Sequence, residues 1–511
     1  MNDFNEDIIR ELIKIKADSP ADLSLVKRRI AKRHKTSFPT NIALLKTYHE
    51  LLRDKSVKPS EKIGRLLKTR PIRSLSGIVN VAVLTKPYPC PGKCIFCPEE
   101  KGIPKSYLSG EPAVERARKL DFDPYLQVKQ RIKMLENEGH PTDKIELRII
   151  GGTWSFYPKK YQEWFIKKCF EACLEKNAKN LKEAQKLNER AEHRIIGISI
   201  ETRPDFINEK EIKHLRGLGV TMVELGVQSV YEEVLKLNKR GHGIKETVRA
   251  TKILKDAGFK ILYQIMLNLP GSNPKRDEKM FEELFSNPDF QPDLLKIYPC
   301  ALLKEAPLYK QWKKGKFHPY KEKQLKNIIK AIKKKIPYYV RIQRITRDIP
   351  SQRIAAGATK ISNLRQVISG QSQCRCIRCR EIKEKYDRKE KVFLFRQEYP
   401  ASGGKEIFLS LENKERTKLY SLIRLRFTSQ GKAIIRELHT YGQLVSIGRG
   451  LKSNKSAQHK GMGKKLIKEA EKIAKKEFKV KKIAVISGVG ARDYYRKLGY
   501  RLEDTYMVKS I

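Results

Sequence analysis

Between residues 77 and 345 the sequence alternates short apolar runs with amphipathic stretches, and this alternation constrains the fold more than any other feature. Stretches with helical periodicity, such as KKYQEWFIKKCFEACLEK, separate most of the apolar runs. A strand that is followed by a helix usually returns as a parallel neighbour, so the pattern predicts a parallel sheet, closed or partly closed into a barrel. The seven predicted strands are 77–85, 145–150, 194–200, 220–225, 259–267, 293–298 and 338–345.

Three cysteines, Cys90, Cys94 and Cys97, follow the first predicted strand in the segment PYPCPGKCIFCPEE. Thiolates suit zinc or iron–sulfur clusters, and a closed structural zinc site takes four ligands. Three thiolates can instead hold three irons of a [4Fe-4S] cluster and leave the fourth iron free for a small chelating ligand. We therefore expect an iron–sulfur site, with a zinc site that recruits a distant fourth ligand as the alternative.

Polar and glycine residues follow the ends of the predicted strands. In parallel barrels the functional face lies at the carboxyl ends of the strands. Glycine at such a position lets the main chain come close to a ligand. The candidate ligand-binding residues at this rim are Gly151, Gly152, Thr153, Glu201, Arg203 and Gln228.

A second group of cysteines, Cys374, Cys376 and Cys379, lies between the predicted barrel and the C-terminal part of the chain. Zinc is the default ion for a closed structural site, so we expect zinc with one further ligand. Cys300 and several histidines are candidates for that ligand, and the sequence does not choose among them. A second iron–sulfur cluster is the alternative.

From residue 392 the pattern changes to consecutive strands, followed by a helix, a strand, a helix and one final strand over 500–508. This order is typical of a separate α+β unit. The loop QHKGMG, at 458–463, opens the first of these helices. Because glycines expose backbone N–H groups at a helix N-terminus, the loop predicts an anion site. Its candidate residues are Gln458, Gly461, Met462 and Gly463.

The chain of 511 residues carries 109 Lys and Arg against 58 Asp and Glu, a formal net charge of +51. Ion-pair networks of the thermophilic kind would raise both signs together. The imbalance therefore favours a polyanionic partner, of which nucleic acid is the commonest. In the basic, helical N-terminal region we expect an RNA footprint that includes Lys27, Arg28, Arg29, Lys32, Arg33 and Lys35.

Nothing in the sequence marks the chain for export or for a membrane. No run approaches 18 apolar residues, and the N-terminus lacks the apolar segment of a secretion signal. Clustered cysteines in a reducing compartment indicate metal ligands rather than disulfides. We expect a cytoplasmic protein with no membrane partner.

These patterns predict an α/β fold with four regions. A partial (β/α) barrel is joined to an α+β domain, and a basic helical region precedes both. The predicted regions are a basic helical RNA-binding region at 1–75, the barrel at 76–365, a cysteine-rich zinc-binding linker at 366–391 and the α+β domain at 392–511.

The motif Cys-x3-Cys-x2-Cys after the first strand, with Gly-Gly-Thr after the second, resembles the radical S-adenosylmethionine (SAM) enzymes. The free iron of their [4Fe-4S] cluster chelates SAM, and the glycine motif approaches the SAM amino group. The resemblance implies that Glu201, Arg203 and Gln228 contact the ribose, carboxylate or adenine of SAM, although each is about as typical of a structural residue at a barrel mouth.

The loop QHKGMG resembles the acetyl-CoA loop of the GNAT acetyltransferases. That resemblance places Tyr494 and Tyr495 near the CoA sulfur, where a phenol can protonate the leaving thiolate. A simple core position is an equally good interpretation of Tyr495. Glu437, Leu438 and His439 lie on the strand that would pair with the acetyl amide, where backbone groups usually make the contact.

The whole chain resembles the catalytic subunit of Elongator. A basic N-terminal region, a radical SAM barrel, a cysteine-rich linker and a GNAT domain occur together in that family, and the spacing of Cys90 and Cys94 fits its stand-alone archaeal and bacterial forms. The resemblance implies an enzyme that uses SAM, a [4Fe-4S] cluster and acetyl-CoA to form 5-carboxymethyluridine at position 34 of tRNA. It also implies binding of the anticodon stem-loop and a CoA contact from Lys144. Nothing in the sequence demands accessory subunits.

Other functions compete with this interpretation. A protein lysine acetyltransferase with a structural metal cluster would use acetyl-CoA without tRNA. A radical SAM enzyme of another type, such as a methylthiolating one, would not depend on acetyl-CoA. A tRNA-binding scaffold with degenerate sites is disfavoured, because every ligand-bearing motif is intact.

Overall fold

Four helices form the N-terminal region and enclose a hydrophobic core of their own, which includes Ile8, Leu44 and Leu67. In this computed structural model, residues 3–361, 363–368, 373–384, 386–445 and 456–511 are described. Ser19 caps the second helix, because its hydroxyl accepts a hydrogen bond from the Asp22 N–H at 3.2 Å. The helices are α1 Asp3–Lys14, α2 Pro20–Arg33, α3 Asn41–Arg53 and α4 Glu61–Leu67.

Seven parallel strands follow and pair in chain order from first to last. The predicted sheet is therefore confirmed as a partial barrel in which every strand neighbours its successor. The strands are β1 Val79–Leu84, β2 Lys144–Ile150, β3 Arg194–Thr202, β4 Met222–Gln228, β5 Lys260–Leu267, β6 Leu294–Pro299 and β7 Arg341–Ile345.

Helices cover the outer face of this barrel. Alternate residues of each strand, for example Val79, Val81 and Val83 in β1, are fully buried in the main core beneath them. The helices are α5 Pro112–Arg118, α6 Pro124–Asn137, α7 Lys159–Leu174, α8 Leu181–Asn188, α9 Glu209–Gly217, α10 Glu232–Leu237, α11 Ile244–Asp256, α12 Pro274–Ser286, α13 Leu308–Lys313 and α14 Glu322–Lys335.

The C-terminal unit is a second seven-stranded sheet with the order β13-β14-β12-β11-β10-β9-β8. The four strands that come first in the chain, β8 to β11, pair in antiparallel fashion, whereas β11 and β12 are parallel. The α+β unit predicted from the sequence is therefore confirmed. Its elements are β8 Phe393–Ala401, β9 Gly404–Glu412, β10 Leu419–Phe427, β11 Ala433–Thr440, α17 Met462–Lys476, β12 Lys482–Val485, α18 Arg492–Arg496, β13 Arg501–Glu503 and β14 Tyr506–Ser510, and the linker before them contains α15 Leu364–Ile368 and α16 Ile377–Arg380.

The prediction of one final strand over 500–508 is wrong. The segment folds into a hairpin in which Glu503 pairs with Tyr506, so that β13 and β14 are antiparallel neighbours. Asp504 takes a left-handed conformation (φ 53°) in the turn. Aspartate tolerates that conformation better than most residues, which allows a tight turn without glycine.

The C-terminal unit docks on the amino-terminal ends of the barrel strands. Gly488 lies so close to β3 that a Cβ atom there would stand 2.0 Å from the Ile196 carbonyl oxygen. Arg436 of β11 forms a buried ion pair with Asp293, just before β6, at 2.6 Å. The C-terminal unit therefore packs against the amino-terminal end of the barrel, which is opposite to the carboxyl ends of the barrel strands.

Among the residues that the structure describes, no helix is both long enough and apolar enough to cross a membrane.

Candidate active sites at the two ends of the barrel

The first cysteine group lies in a cavity at the carboxyl ends of the barrel strands. Cys90, Cys94 and Cys97 all line this cavity. Hydrogen bonds to sulfur orient two of the thiols: Gly92 N–H donates to Cys90 Sγ and Arg240 Nη1 donates to Cys94 Sγ, both at 3.4 Å. Donors of this kind stabilise negative charge on thiolates that bind a metal cluster.

The geometry of the three thiols fits an iron–sulfur cluster better than one zinc ion. Their sulfur atoms do not all lie within 4.8 Å of one another; among the described residues only Cys374, Cys376 and Cys379 meet that distance. Burial raises the pKa of the Cys97 thiol to about 12, so a thiolate there needs the charge of a bound metal. The buried Arg203 Nη1 has no hydrogen-bond partner among the described residues and faces the same loop, 2.7 Å from the position of a Cβ atom on Gly92.

The three residues of the Gly-Gly-Thr segment after β2 have different neighbours. Gly151 (φ 129°) packs against β1, because a Cβ atom there would lie 2.0 Å from Thr85 Oγ1. Gly152 and Thr153 line the cavity, and Thr153 Oγ1 lies 3.8 Å from Cys90 Sγ. The sequence predicted that the backbone of both glycines comes close to a ligand. Of the two, Gly152 is the one that lines the cavity.

Glu201, Arg203 and Gln228 all line this cavity, as expected from their places at the carboxyl ends of β3 and β4. Glu201 accepts hydrogen bonds from Tyr107 Oη at 3.0 Å, from Gln264 Nε2 at 3.1 Å and from Lys296 Nζ at 3.0 Å. Lys296 was not predicted from the sequence, because it is a single charged residue in the apolar strand DLLKIY.

Lys296 joins two carboxylates on the floor of the cavity. Its ammonium group pairs with Glu201 and with Glu224, which is 1% exposed. Although burial alone would raise it, Lys296 holds the pKa of Glu201 below its ordinary value. Burial raises the pKa of Glu224, with the neighbouring Glu201 adding to the effect.

Arg203 is held in place by Asp205. Its guanidinium group donates two hydrogen bonds of 2.9 Å to that carboxylate, which leaves Nη1 directed into the cavity. A fixed fork with one free N–H group can bind a carboxylate or a hydroxyl group of a ligand.

The second candidate site lies at the other end of the barrel, around the loop 458–463. The loop leads into α17, and no atom of the described residues lies within 4 Å of a Cβ atom placed on Gly461 (φ 79°), so this part of the structure leaves its backbone open to a ligand. On Gly463 such an atom would lie 3.0 Å from Tyr494 Oη. The Tyr494 phenol therefore stands over the glycine loop, next to Met462 at the helix N-terminus.

Gln458 and Lys144 connect this loop to the barrel. Gln458 Nε2 donates to the carbonyl oxygens of Gly77 at 3.0 Å and Thr440 at 3.1 Å. Lys144 Nζ donates to Gln458 Oε1 at 3.0 Å and to the Val445 carbonyl at 2.8 Å. Burial lowers the pKa of Lys144 to about 8. Lys144, for which the sequence predicts a CoA contact, thus lies beside the loop.

The three candidate residues of β11 face different neighbours. Glu437 accepts from Arg424 Nε at 2.7 Å and from Lys260 Nζ of β5 at 3.4 Å. His439 Nε2 lies 2.7 Å from the Ser76 carbonyl oxygen, so this nitrogen carries the proton. A Leu438 methyl group comes within 3.6 Å of a Cβ atom on Gly463.

The pairing of β11 with β12 stops at Ile435. Pairing with β12 covers only Ala433–Ile435 and Ile483–Val485, whereas β11 continues to Thr440. Unpaired backbone groups on a strand edge can bind the amide groups of an extended ligand.

The two tyrosines of α18 differ in exposure. Tyr494 is 42% exposed, whereas Tyr495 is 6% exposed and belongs to the main hydrophobic core. The Tyr495 ring packs edge-on against Tyr494 and Tyr500. Tyr494 is thus the tyrosine with access to a ligand, and Tyr495 has a packing position.

The second cysteine group is compact and lies beside β7. The sulfur atoms of Cys374, Cys376 and Cys379 lie within 4.8 Å of one another, which suits one tetrahedral zinc ion. Arg378 Nη1 donates to the Gln343 carbonyl at 2.9 Å and anchors α16 on the strand. Cys300 is buried in a separate apolar cluster with Leu302, Leu308 and Phe317.

The predicted RNA footprint lies on α2 and just after it. Lys27 is half-buried, and its ammonium group donates to the Pro39 carbonyl at 2.9 Å and to Asn41 Oδ1 at 2.6 Å. Arg29 pairs with Glu11. The other four side chains are exposed and make no such contact with the elements that the structure describes: Arg28, Lys32, Arg33 and Lys35.

Comparisons with known proteins find a matching family for each of the two candidate sites. Residues 88–284 match the radical SAM superfamily, 292–373 the radical SAM C-terminal domain, and 452–509 the acetyltransferase (GNAT) domain. The structure matches that of archaeal Elp3 from Methanocaldococcus infernus, which lacks its residues 1–46, with a TM-score of 0.75 and 43% identity over 86% of this chain and 100% of that one.

Curated relatives extend the match over nearly the whole sequence. A tRNA uridine(34) acetyltransferase of Methanocaldococcus infernus is 46% identical over 487 residues, which cover 90% of this chain and 91% of that one. Human Elongator complex protein 3 is 37% identical over 540 residues, which cover 99% of this chain and 96% of that one. The chain therefore belongs to the family of tRNA uridine(34) acetyltransferases and Elongator complex protein 3.

Proposed function

We propose that this protein is a tRNA uridine(34) acetyltransferase that forms 5-carboxymethyluridine from SAM, acetyl-CoA and tRNA. The observation that carries the proposal is the pairing of two sites on one barrel: a triple-thiol cavity at the carboxyl ends of the strands and an open glycine loop at their amino-terminal ends. Relatives of nearly equal length that are named for this activity support it.

At the first end, Cys90, Cys94 and Cys97 would hold a [4Fe-4S] cluster. When it is bound, the cluster supplies one electron that cleaves SAM and so provides a radical able to take hydrogen from an unactivated carbon. Gly152 offers its backbone to the amino group of SAM, Arg203 offers a guanidinium donor, and Glu201 and Gln228 complete the wall of the cavity.

At the second end, the loop of Gln458, Gly461, Met462 and Gly463 would bind the CoA pyrophosphate at the start of α17. The free edge of β11, over Glu437, Leu438 and His439, would bind the pantetheine amides. Tyr494 stands over the loop with an exposed phenol that can donate its proton to a CoA thiolate.

The remaining assignments rest on the chemistry of the side chains. Cys374, Cys376 and Cys379 would hold zinc and stabilise the linker on β7. The exposed basic side chains at the C-terminal half of α2 would contact phosphates of the tRNA anticodon stem-loop. We further propose the four domain bounds predicted from the sequence, activity without accessory subunits, and a cytoplasmic location.

Anaerobic incubation of the reconstituted protein with SAM, a reductant, acetyl-CoA and tRNA tests the proposal. Mass spectrometry of the nucleosides should detect 5-carboxymethyluridine only when all four are present, and Cys94→Ala should abolish it. Acetylated protein lysines with unmodified tRNA would instead identify a lysine acetyltransferase. A modified nucleoside that forms without acetyl-CoA would identify a radical SAM enzyme of another type.

A further inference from the structure

The inner face of the barrel is charged, which is unusual. The interior of a closed parallel barrel is normally filled by layers of branched apolar side chains. Here a small apolar cluster of Met222, Leu262 and Leu294 fills only part of the inner face. Charged side chains share the rest, and they come from four strands: Glu146 and Arg148 of β2, Glu224 of β4, Lys260 of β5 and Lys296 of β6.

Contacts between these groups begin at the candidate acetyl-CoA site. Lys260 Nζ lies 3.4 Å from Glu437 on β11 and 3.8 Å from Glu146 on β2. Glu146 pairs with Arg148 at 3.1 Å, one layer deeper in the barrel. The Gln343 amide of β7 also lies beside Arg148, and with its oxygen and nitrogen interchanged it accepts from Arg148 Nη1 at 3.3 Å. Polar groups therefore lead from β11 into the barrel.

The same set continues to the cavity at the other end. Lys296 joins Glu224 and Glu201, and Gln264 donates to Glu201 at 3.1 Å. Lys260 and Gln264 belong to the same strand, and the four residue steps between them span about 13 Å. An extended pantetheine arm is longer than this distance.

Part of the interior is accessible to water. The side chains of Arg148 and Lys260 keep 24% and 16% of their exposure. Asn80 and Ala82, whose register with Glu146 and Arg148 places them on the inner face of β1, are only half-buried. The buried Asn80 Oδ1 has no hydrogen-bond partner among the described residues. Partly exposed side chains and an unsatisfied polar atom thus lie along the inner faces of β1 and β2.

A hinge motion between the domains is opposed by buried charges. Arg436 donates to both oxygens of Asp293, at 2.6 Å and 2.8 Å, and to the Phe259 carbonyl at 2.6 Å. Glu406 and Arg424 join the same fully buried network. Breaking such a network leaves charges unpaired in a dry interface, which is strongly unfavourable.

We propose that the acetyl end of CoA enters the barrel from its amino-terminal end and reaches the SAM cavity through the interior, along the inner faces of β1 and β2. This inference rests on the proposed function. The polar groups of Glu146, Arg148 and Asn80 line the path of the pantetheine arm, and Ala82 leaves room for it. The carboxyl end of the barrel stays open for the uridine.

A cysteine placed on the path tests the proposal without catalysis. The full-length Ala82→Cys variant and the matched Val83→Cys variant, which faces the outer core, would each be incubated with bromoacetyl-CoA. The cysteine thiolate displaces bromide from the bromoacetyl carbon, which attaches the CoA arm to any cysteine that its acyl end reaches, and peptide mass spectrometry locates the adduct among the native cysteines. We expect an adduct at position 82 that excess acetyl-CoA suppresses, and none at position 83. No adduct at position 82, or one that acetyl-CoA does not suppress, would overturn the proposal.

An obstructing variant gives a second readout. Ala82→Phe fills the room that the pantetheine arm needs, and it should lower the transfer of labelled acetyl carbon to tRNA at least about tenfold. Unchanged transfer would contradict the path. Failure of the wild-type protein to modify tRNA would contradict the proposed function instead, while leaving the cysteine-labelling experiment interpretable.

Discussion

The Lys144 ammonium group donates a hydrogen bond to Gln458 Oε1 at 3.0 Å, and this contact ties the start of β2 to the glycine loop before α17. The two residues are 314 positions apart, so the barrel and the C-terminal unit share one candidate acetyl-CoA site. Because Lys144 is buried, the binding of acetyl-CoA at this site should depend on pH.

Binding of acetyl-CoA should weaken above about pH 8. Burial lowers the pKa of Lys144 to about 8, so its positive charge is present below that pH and is lost as the pH rises through it. We expect the KM for acetyl-CoA to rise over this range. Lys144→Arg keeps its charge and should remove that rise; a rise of equal size in the variant would contradict the assignment.

The two cysteine groups should bind different metals independently. Cys94→Ser should remove the four-iron absorption and the bound iron but leave zinc in place. Cys376→Ser should remove zinc while the iron–sulfur signal persists, because its sulfur belongs to the compact group beside β7. Metal analysis of anaerobically purified variants measures both, and loss of both metals from either variant would count against two separate sites.

The two adjacent tyrosines should differ in their effect on CoA chemistry. Tyr494→Phe removes a phenol beside Gly463 and should slow acetyl-CoA cleavage by roughly a hundredfold, as expected for loss of a general acid. Tyr495→Phe should leave the rate nearly unchanged, because that side chain is buried in the core. Steady-state kinetics with the two variants provide the comparison, and equal rates would remove Tyr494 from the mechanism.

The exposed basic residues of the N-terminal region should contribute to tRNA affinity. Replacing all four by alanine should weaken binding and reduce the slope of log affinity against log salt, because fewer counterions are released. The four substitutions are at Arg28, Lys32, Arg33 and Lys35.

A control with the same loss of charge is available on α17. Its exposed lysines 468, 472, 475 and 476 can be replaced together without touching the N-terminal helices. If this control weakens tRNA binding as much as the α2 set does, the effect is one of net charge and the footprint is not on α2.

Local sequence signals predicted the helices and strands well, because the burial of one face of an element produces a regular spacing of apolar residues. The run LYSLIRLRF became β10 at Leu419–Phe427, and all seven barrel strands formed where apolar runs occur. The final hairpin was missed, since its turn depends on a left-handed Asp504 rather than on a glycine or proline.

The arrangement of the two sites could not be predicted from such signals. Lys296 and Glu224 lie within apolar strands, and only the register across the barrel reveals that they meet on its inner face. Likewise, contacts such as His439 with Ser76 join segments hundreds of residues apart, where periodicity carries no information.

The most direct measurement follows hydrogen from the acetyl methyl group. The reconstituted protein would be given acetyl-CoA with a deuterated methyl group, together with SAM, a reductant and tRNA, and the 5′-deoxyadenosine produced would be analysed by mass spectrometry. We predict that 5′-deoxyadenosine gains deuterium while the uridine at position 34 gains a carboxymethyl group. Modified tRNA alongside deuterium-free 5′-deoxyadenosine would contradict the account.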